Sequence, residues 1–74
     1  MRYRFVTAGR AAFDLLDASG RQVARMAEFD AAPGEGSLTW EARSAGRRVP
    51  PGLYFMRLKL GGKLLSIKKF LLLP

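Results

Sequence analysis

Neither cysteine nor histidine occurs in this sequence. Without cysteine there is no disulfide framework and no thiolate zinc site, and without histidine the commonest metal ligand and the usual general base are both missing. No nucleophile and base pair can be assembled from what remains, so no enzymatic activity is expected. Acidic residues are scarce, with six Asp and Glu against thirteen Lys and Arg. No apolar run approaches the roughly 18–20 residues of a membrane span, and Met1 to Val6 lacks the long apolar region of a signal peptide. An exported form would therefore take its signal from another part of a parent protein.

A chain of 74 residues has interior for one core, so residues 1–74 are read as a single domain. Apolar residues make up 49% and charged residues 26% of the chain, a balance that favours folding over disorder. With neither disulfide nor metal, packing alone holds so small a domain, which predicts modest stability and a tendency to lean on a neighbouring domain. The net charge of +7 is unevenly placed. All acids lie between Asp14 and Glu41, whereas Arg43, Arg47, Arg48, Arg57, Lys59, Lys63, Lys68 and Lys69 include no acid among them. Such a field attracts polyanions, acidic polysaccharide among them, through long-range, salt-sensitive forces.

Period-2 alternation dominates and helical periodicity is lacking, so the sequence reads as strands throughout. A first strand is expected over Tyr3 to Val6. A second, Arg10 to Leu16, places Ala11, Phe13 and Leu15 on one face and Ala12 and Asp14 on a face exposed to water. Asp17-Ala18-Ser19-Gly20 reads as a tight turn, with Asp at its first position and Gly20 free to take a left-handed backbone. A third strand follows from Arg21 to about Glu28. Ala31 to Gly36 reads as a Pro- and Gly-rich loop, and Ser37 to Glu41 as a short strand with Leu38 and Trp40 inward. Ala42 to Val49 reads as a polar connection, and Pro50-Pro51-Gly52 stiffens the entry to the next strand.

In Leu53 to Leu60 the apolar even positions Tyr54, Met56, Leu58 and Leu60 share one face, opposite Arg57, Lys59, Leu53 and Phe55. Gly61-Gly62 is a hairpin turn joining this strand to Lys63 to Leu73. The resulting expectation is a small antiparallel β-sandwich of six to seven strands.

Four blocks resemble a known family. Phe13 to Val23, with Asp17, Gly20 and Arg21 at its turn, is similar to the "hydrophobic-x-hydrophobic-Asp-x-x-Gly-Arg-x-Val" hairpin of the immunoglobulin-like C-terminal sorting domains of type IX secretion cargo. The immunoglobulin-like domain of the flagellar hook-capping protein is similar too. Leu38-Thr39-Trp40-Glu41 with the loop Arg43 to Val49, then Pro51-Gly52-Leu53-Tyr54-Phe55-Met56-Arg57-Leu58, then Lys68-Lys69-Phe70-Leu71-Leu72-Leu73 resemble later blocks in the family's order. The resemblance implies an immunoglobulin-like fold at the C-terminal end of a secreted or cell-surface protein. It also implies secretion machinery as a partner, with Lys68, Lys69, Phe70, Leu71, Leu72 and Leu73 as the recognition element. Asp17, Gly20, Trp40, Gly52 and Tyr54 would be fold-defining positions.

Two other readings share the same residues. One is a structural or adhesive spacer that binds an adjacent domain or an anionic surface polymer through a basic surface of Arg57, Lys59 and Lys63, brought near Lys68 or Lys69 by the hairpin. The other is hook-cap assembly. Lysines on an edge strand also discourage strand addition, and Leu71 and Leu73 would complete the core if the last strand were buried. Asp14, Asp17, Glu28 and Asp30 fall in no dense oxygen-ligand loop, so no metal or cofactor is expected. No aromatic rings are interleaved with the basic residues and no reader motif is present, so nucleic acid is not indicated. Trp40, Tyr54 and Phe55 are candidates for an aromatic shelf, of which Phe55 alone faces outward.

Overall fold

The computed structural model describes residues 1–44 and 46–74 and is all-β, with no helix among the described residues. Ala45, in the expected polar connection, lies outside the described residues. The strands are β1 (Arg2–Phe5), β2 (Gly9–Asp17), β3 (Gln22–Ala31), β4 (Gly34–Ser37), β5 (Arg43–Ser44), β6 (Arg47–Arg48), β7 (Gly52–Leu60) and β8 (Lys63–Leu72). Six to seven strands were expected; eight form among the described residues, because the stretch read as a polar connection contributes the short pair β5 and β6.

Four strands make one antiparallel sheet in the order β3-β2-β7-β8, while β1 pairs with β4 and β5 with β6 as two separate ribbons. The ribbons cover one face of the sheet, giving a sandwich-like arrangement of two unequal layers. Turn chemistry sets the sheet's two hairpins. At the first, the Gly20 amide donates to the Asp17 carbonyl at 2.9 Å, and one Asp17 carboxylate oxygen accepts from the Ser19 and Arg21 amides at 2.9 and 3.0 Å. The Ser19 hydroxyl hydrogen-bonded to Asp17 is the largest influence holding that carboxyl below its ordinary range, against a smaller effect of burial. At the second, Gly61 and Gly62 take φ of 58° and 80°, a double left-handed turn whose twist matches the strands it joins.

The core lies between sheet and ribbons. Phe13 on β2 is wholly buried, with the ring of Tyr3 from β1 centred 5.4 Å away and that of Phe29 from β3 at 6.1 Å. Phe5, Met56 and Leu58 complete this cluster, and Leu15, Ala24, Val49 and Tyr54 form a second under the β5–β6 ribbon. The even face of β7 is buried as its alternation requires, at Tyr54, Met56 and Leu58. Gly52 opens that strand with φ 153°, and the Tyr54 hydroxyl donates back to the Pro50 carbonyl at 2.6 Å.

The second layer departs from the sequence reading. The strand falls at Gly34–Ser37 instead of Ser37 to Glu41, because Gly36 allows β4 to lie against the Tyr3 ring. A Cβ at Gly36 would sit 2.5 Å from Tyr3 Cζ, inside any van der Waals contact. Gly36→Ala must therefore push Tyr3 out of the cluster, and a loss of about 1–3 kcal/mol is expected in urea denaturation. Trp40, expected inside the core, follows the ribbon and is only half-buried at the margin of the second cluster.

The face of β2 expected to meet water is also closed. Ala12, Asp14 and Leu16 are buried, as Ala11, Phe13 and Leu15 are on the other face, because β2 is central and Lys59, Arg57 and Phe55 stand opposite them on β7. Long side chains beside short ones on a sheet face shield them from solvent.

Candidate functional site

Charge on the open face of the sheet separates into a neutralised half and a cationic half. Asp14 is fully buried there, accepting from Arg25 Nε at 2.8 Å, Arg57 Nη2 at 3.1 Å and Gln22 Nε2 at 3.2 Å. Burial disfavours its charged form, but the hydrogen bonds and charges of Arg25 and Arg57 outweigh that and hold the carboxyl below its ordinary value of 3.8. Glu28 pairs with Arg25 and Arg10, and Asp30 with Arg10, so the β3 side of the sheet is internally compensated.

Arg57, expected as free basic surface, is instead committed to Asp14 and to the Gln22 side-chain oxygen at 2.9 Å. Its Nε is buried without an acceptor among the described residues. No local sequence signal marks this role, since its partners lie 43 and 35 positions away. Lys59, Lys63, Lys68 and Lys69 make no ion pair among the described residues.

Across the hairpin no two like charges stand directly opposite one another. Arg57 stands opposite Ile67, Lys59 opposite Leu64 and Lys63 opposite Leu60, while Lys69 faces Phe55 and Lys68 faces Met56. A bulge at Leu65 decides which face each residue beyond it takes. Register moves by one residue between Leu58 and Lys59, and a one-residue slip exchanges the faces of everything beyond it. Lys68, Phe70 and Leu72 consequently share the inner face with Met56 and Tyr54, whereas Ile67, Lys69 and Leu71 share the outer face with Arg57, Phe55 and Leu53.

The proposed recognition residues are thus divided between two faces. Phe70 and Leu72 pack against the core, and the ring of Phe70 lies 6.1 Å from that of Tyr54. Leu71 and Leu73, the pair expected to finish the core, are 64% and 70% exposed. Leu64, Leu65 and Ile67 are exposed as well, so the last strand and Leu73 just after it carry five of the eight large exposed apolar side chains among the described residues. Phe55 is half-buried between Leu16 and Lys69 and does not stand free as a shelf.

The ribbons leave the inner face open along β8. There a groove of about 480 Å³ runs beneath Trp40, floored by Met26, Met56, Phe70 and Leu72 and bounded by Lys68. Met1 also lines it, so all three methionines of the chain meet in this groove. Flexible, polarisable thioethers adapt to varied apolar occupants. On its other side β8 has no neighbour, and its backbone groups there stay unpaired among the described residues.

No cluster of three or more acidic side chains suited to a metal ion exists among the described residues. No helix there is long and apolar enough to cross a membrane. No protein family, curated protein or solved structure matches the chain.

Proposed function

We propose that this chain is a non-catalytic, immunoglobulin-like secretion domain, placed at the C-terminal end of a secreted or surface-attached protein and recognised through its last strand. The observation that carries this reading is β8 itself: an edge strand that exposes Leu64, Ile67 and Leu71 and presents Lys68 and Lys69 without acidic partners among the described residues. An exposed, long, apolar edge is a liability unless something binds it. The resemblance of the four blocks to sorting domains supplies the identity of that binder, a secretion machine.

Further support for an immunoglobulin-like fold comes from Tyr54. Its hydroxyl bonds to the backbone carbonyl four residues upstream, at the corner entering β7, as the conserved tyrosine of immunoglobulin-like sandwiches does. A spacer that docks on an adjacent domain or an anionic polymer is the second reading, favoured by the outward apolar pair Leu53 and Leu71 beside Lys69.

The test is a reporter protein carrying this chain at its C-terminus, in a host with a type IX secretion system. Export that depends on the fused chain is expected. A reporter retained inside the cell, with the domain folded, would contradict the sorting role and favour the spacer.

A further inference from the structure

The edge of β8 and the groove beneath it lie on the same flank of the sandwich, and both are unfilled. A strand added beside β8 would complete the backbone ladder and place alternate side chains over the groove and over the outer face. Residues directly opposite one another across such a ladder share a face and contact one another. The side chains of β8 therefore prescribe those of its neighbour.

We propose that β8 accepts one extended partner segment as a fifth strand of the sheet, with apolar residues opposite Ile67, Phe70, Leu71 and Leu72 and acidic residues opposite Lys68 and Lys69. This deepens the recognition role given to β8 above and rests on that reading for its biological setting. The residues opposite Phe70 and Leu72 enter the groove toward Trp40, where the methionines fit bulky apolar groups of differing shape. The acid opposite Lys68 closes the groove mouth, and its neighbour meets Lys69 on the outer face.

A second copy of the chain is a poor occupant. β8 carries Lys63, Lys68 and Lys69 and no acid, so two β8 strands would bring cations together between molecules that each bear +7. The opposite sheet edge, β3, offers Glu28 and Asp30, but these are already paired with Arg10 and Arg25. Charge complementarity selects a foreign, acidic and apolar strand.

The experiment uses the 74-residue chain and two capped peptides, Thr-Thr-Val-Val-Val-Glu-Glu-Val-Thr-Thr and the same peptide with both glutamates replaced by lysine. Binding is followed by the fluorescence of Trp40, the single tryptophan, and by hydrogen exchange of backbone amides. The acidic peptide is expected to bind at least about ten-fold tighter than the basic one, to weaken with added salt, and to protect β8 amides from Lys68 to Leu72. In a Lys68→Glu/Lys69→Glu variant with an unchanged melting temperature, the preference should reverse.

Equal binding of the two peptides, or saturation without protection of β8, would overturn the proposal. So would concentration-dependent protection of β8 by the chain alone, which would make a second copy the occupant. The readout needs no secretion machinery. Failed export with intact peptide binding removes only the sorting role, and intact export without peptide binding removes only the strand acceptor.

Discussion

Replacing Phe13 with alanine should cost about 3–5 kcal/mol of stability. A domain of 74 residues, at roughly 0.05–0.15 kcal/mol per residue, has only about 4–11 kcal/mol in total. The substitution therefore removes a large share of the whole. Phe13 carries this weight because of its position: it lies on central β2, fully buried, where the rings of Tyr3 from the ribbon and Phe29 from β3 converge on it. The ribbon and the sheet share no hydrogen-bonded ladder, so side chains such as these hold the two layers together. Urea denaturation should show a large drop in midpoint with an unchanged slope in the remaining folded protein. A loss below about 1 kcal/mol would place the ring outside the core.

The second large effect is expected at Asp14. In Asp14→Asn, the charge that compensates Arg25 and Arg57 disappears while both guanidinium groups stay in place. Breaking a buried pair from one side costs about 3–5 kcal/mol, and solvent screening reduces this because the Arg25 and Arg57 side chains are 45% and 23% exposed. A loss of about 2–3 kcal/mol is expected, or roughly 4–8 °C in melting temperature for each kcal/mol. Changing Asp14 to leucine together with Arg57 to methionine should cost less than Asp14→Asn, since no carboxylate or Arg57 charge is then left alone on that face.

The pH dependence follows from the same carboxyl. Its folded-state value lies below 3.8, so in that range the unfolded chain binds the proton more readily than the folded one. The stabilisation by Asp14 is complete above its ordinary value and is lost as pH falls through the lower, native value. Melting temperatures of the wild type and of Asp14→Asn should therefore converge on acidification below 3.8. Asp17 shifts in the same direction in both proteins and cancels from the difference. A gap that stays constant down to unfolding would show that the Asp14 charge contributes nothing.

Asp14 also marks where the sequence ceases to be readable. Alternation along β2 is correct, and it does place Asp14 opposite Phe13 and Leu15, but alternation cannot distinguish a wet face from one closed by neighbouring strands. Arg25 and Arg57 reach Asp14 across β3 and β7, and only the sheet order reveals that. Where chemistry is local, reading succeeded. The Asp17 to Gly20 turn, the Gly61-Gly62 hairpin and the inward Tyr54, Met56 and Leu58 each follow from two or three adjacent residue types.

Strand β4 is hidden in the sequence because Gly34 and Gly36 read as loop residues, although Gly36 serves to admit the ring of Tyr3, more than thirty positions away in the chain. The candidate site was half legible. Its strand was located correctly, but its faces were assigned without the bulge at Leu65, which no turn residue announces. That one residue sends Phe70 and Leu72 inward and turns Leu71 outward.

The central claim is that a partner recognises Lys68 and Lys69 on β8 specifically, as opposed to the positive field of the whole domain. Two reporter fusions separate these possibilities in a type IX host: Lys68→Gln/Lys69→Gln, and Lys59→Gln/Lys63→Gln at the other end of the same hairpin. Each removes two positive charges, and none of the four lysines makes an ion pair among the described residues. With melting temperatures matched to the parent domain, the first fusion should be retained in the cell and the second exported as the parent is. Equal export of both, or equal loss of both, would contradict recognition through β8.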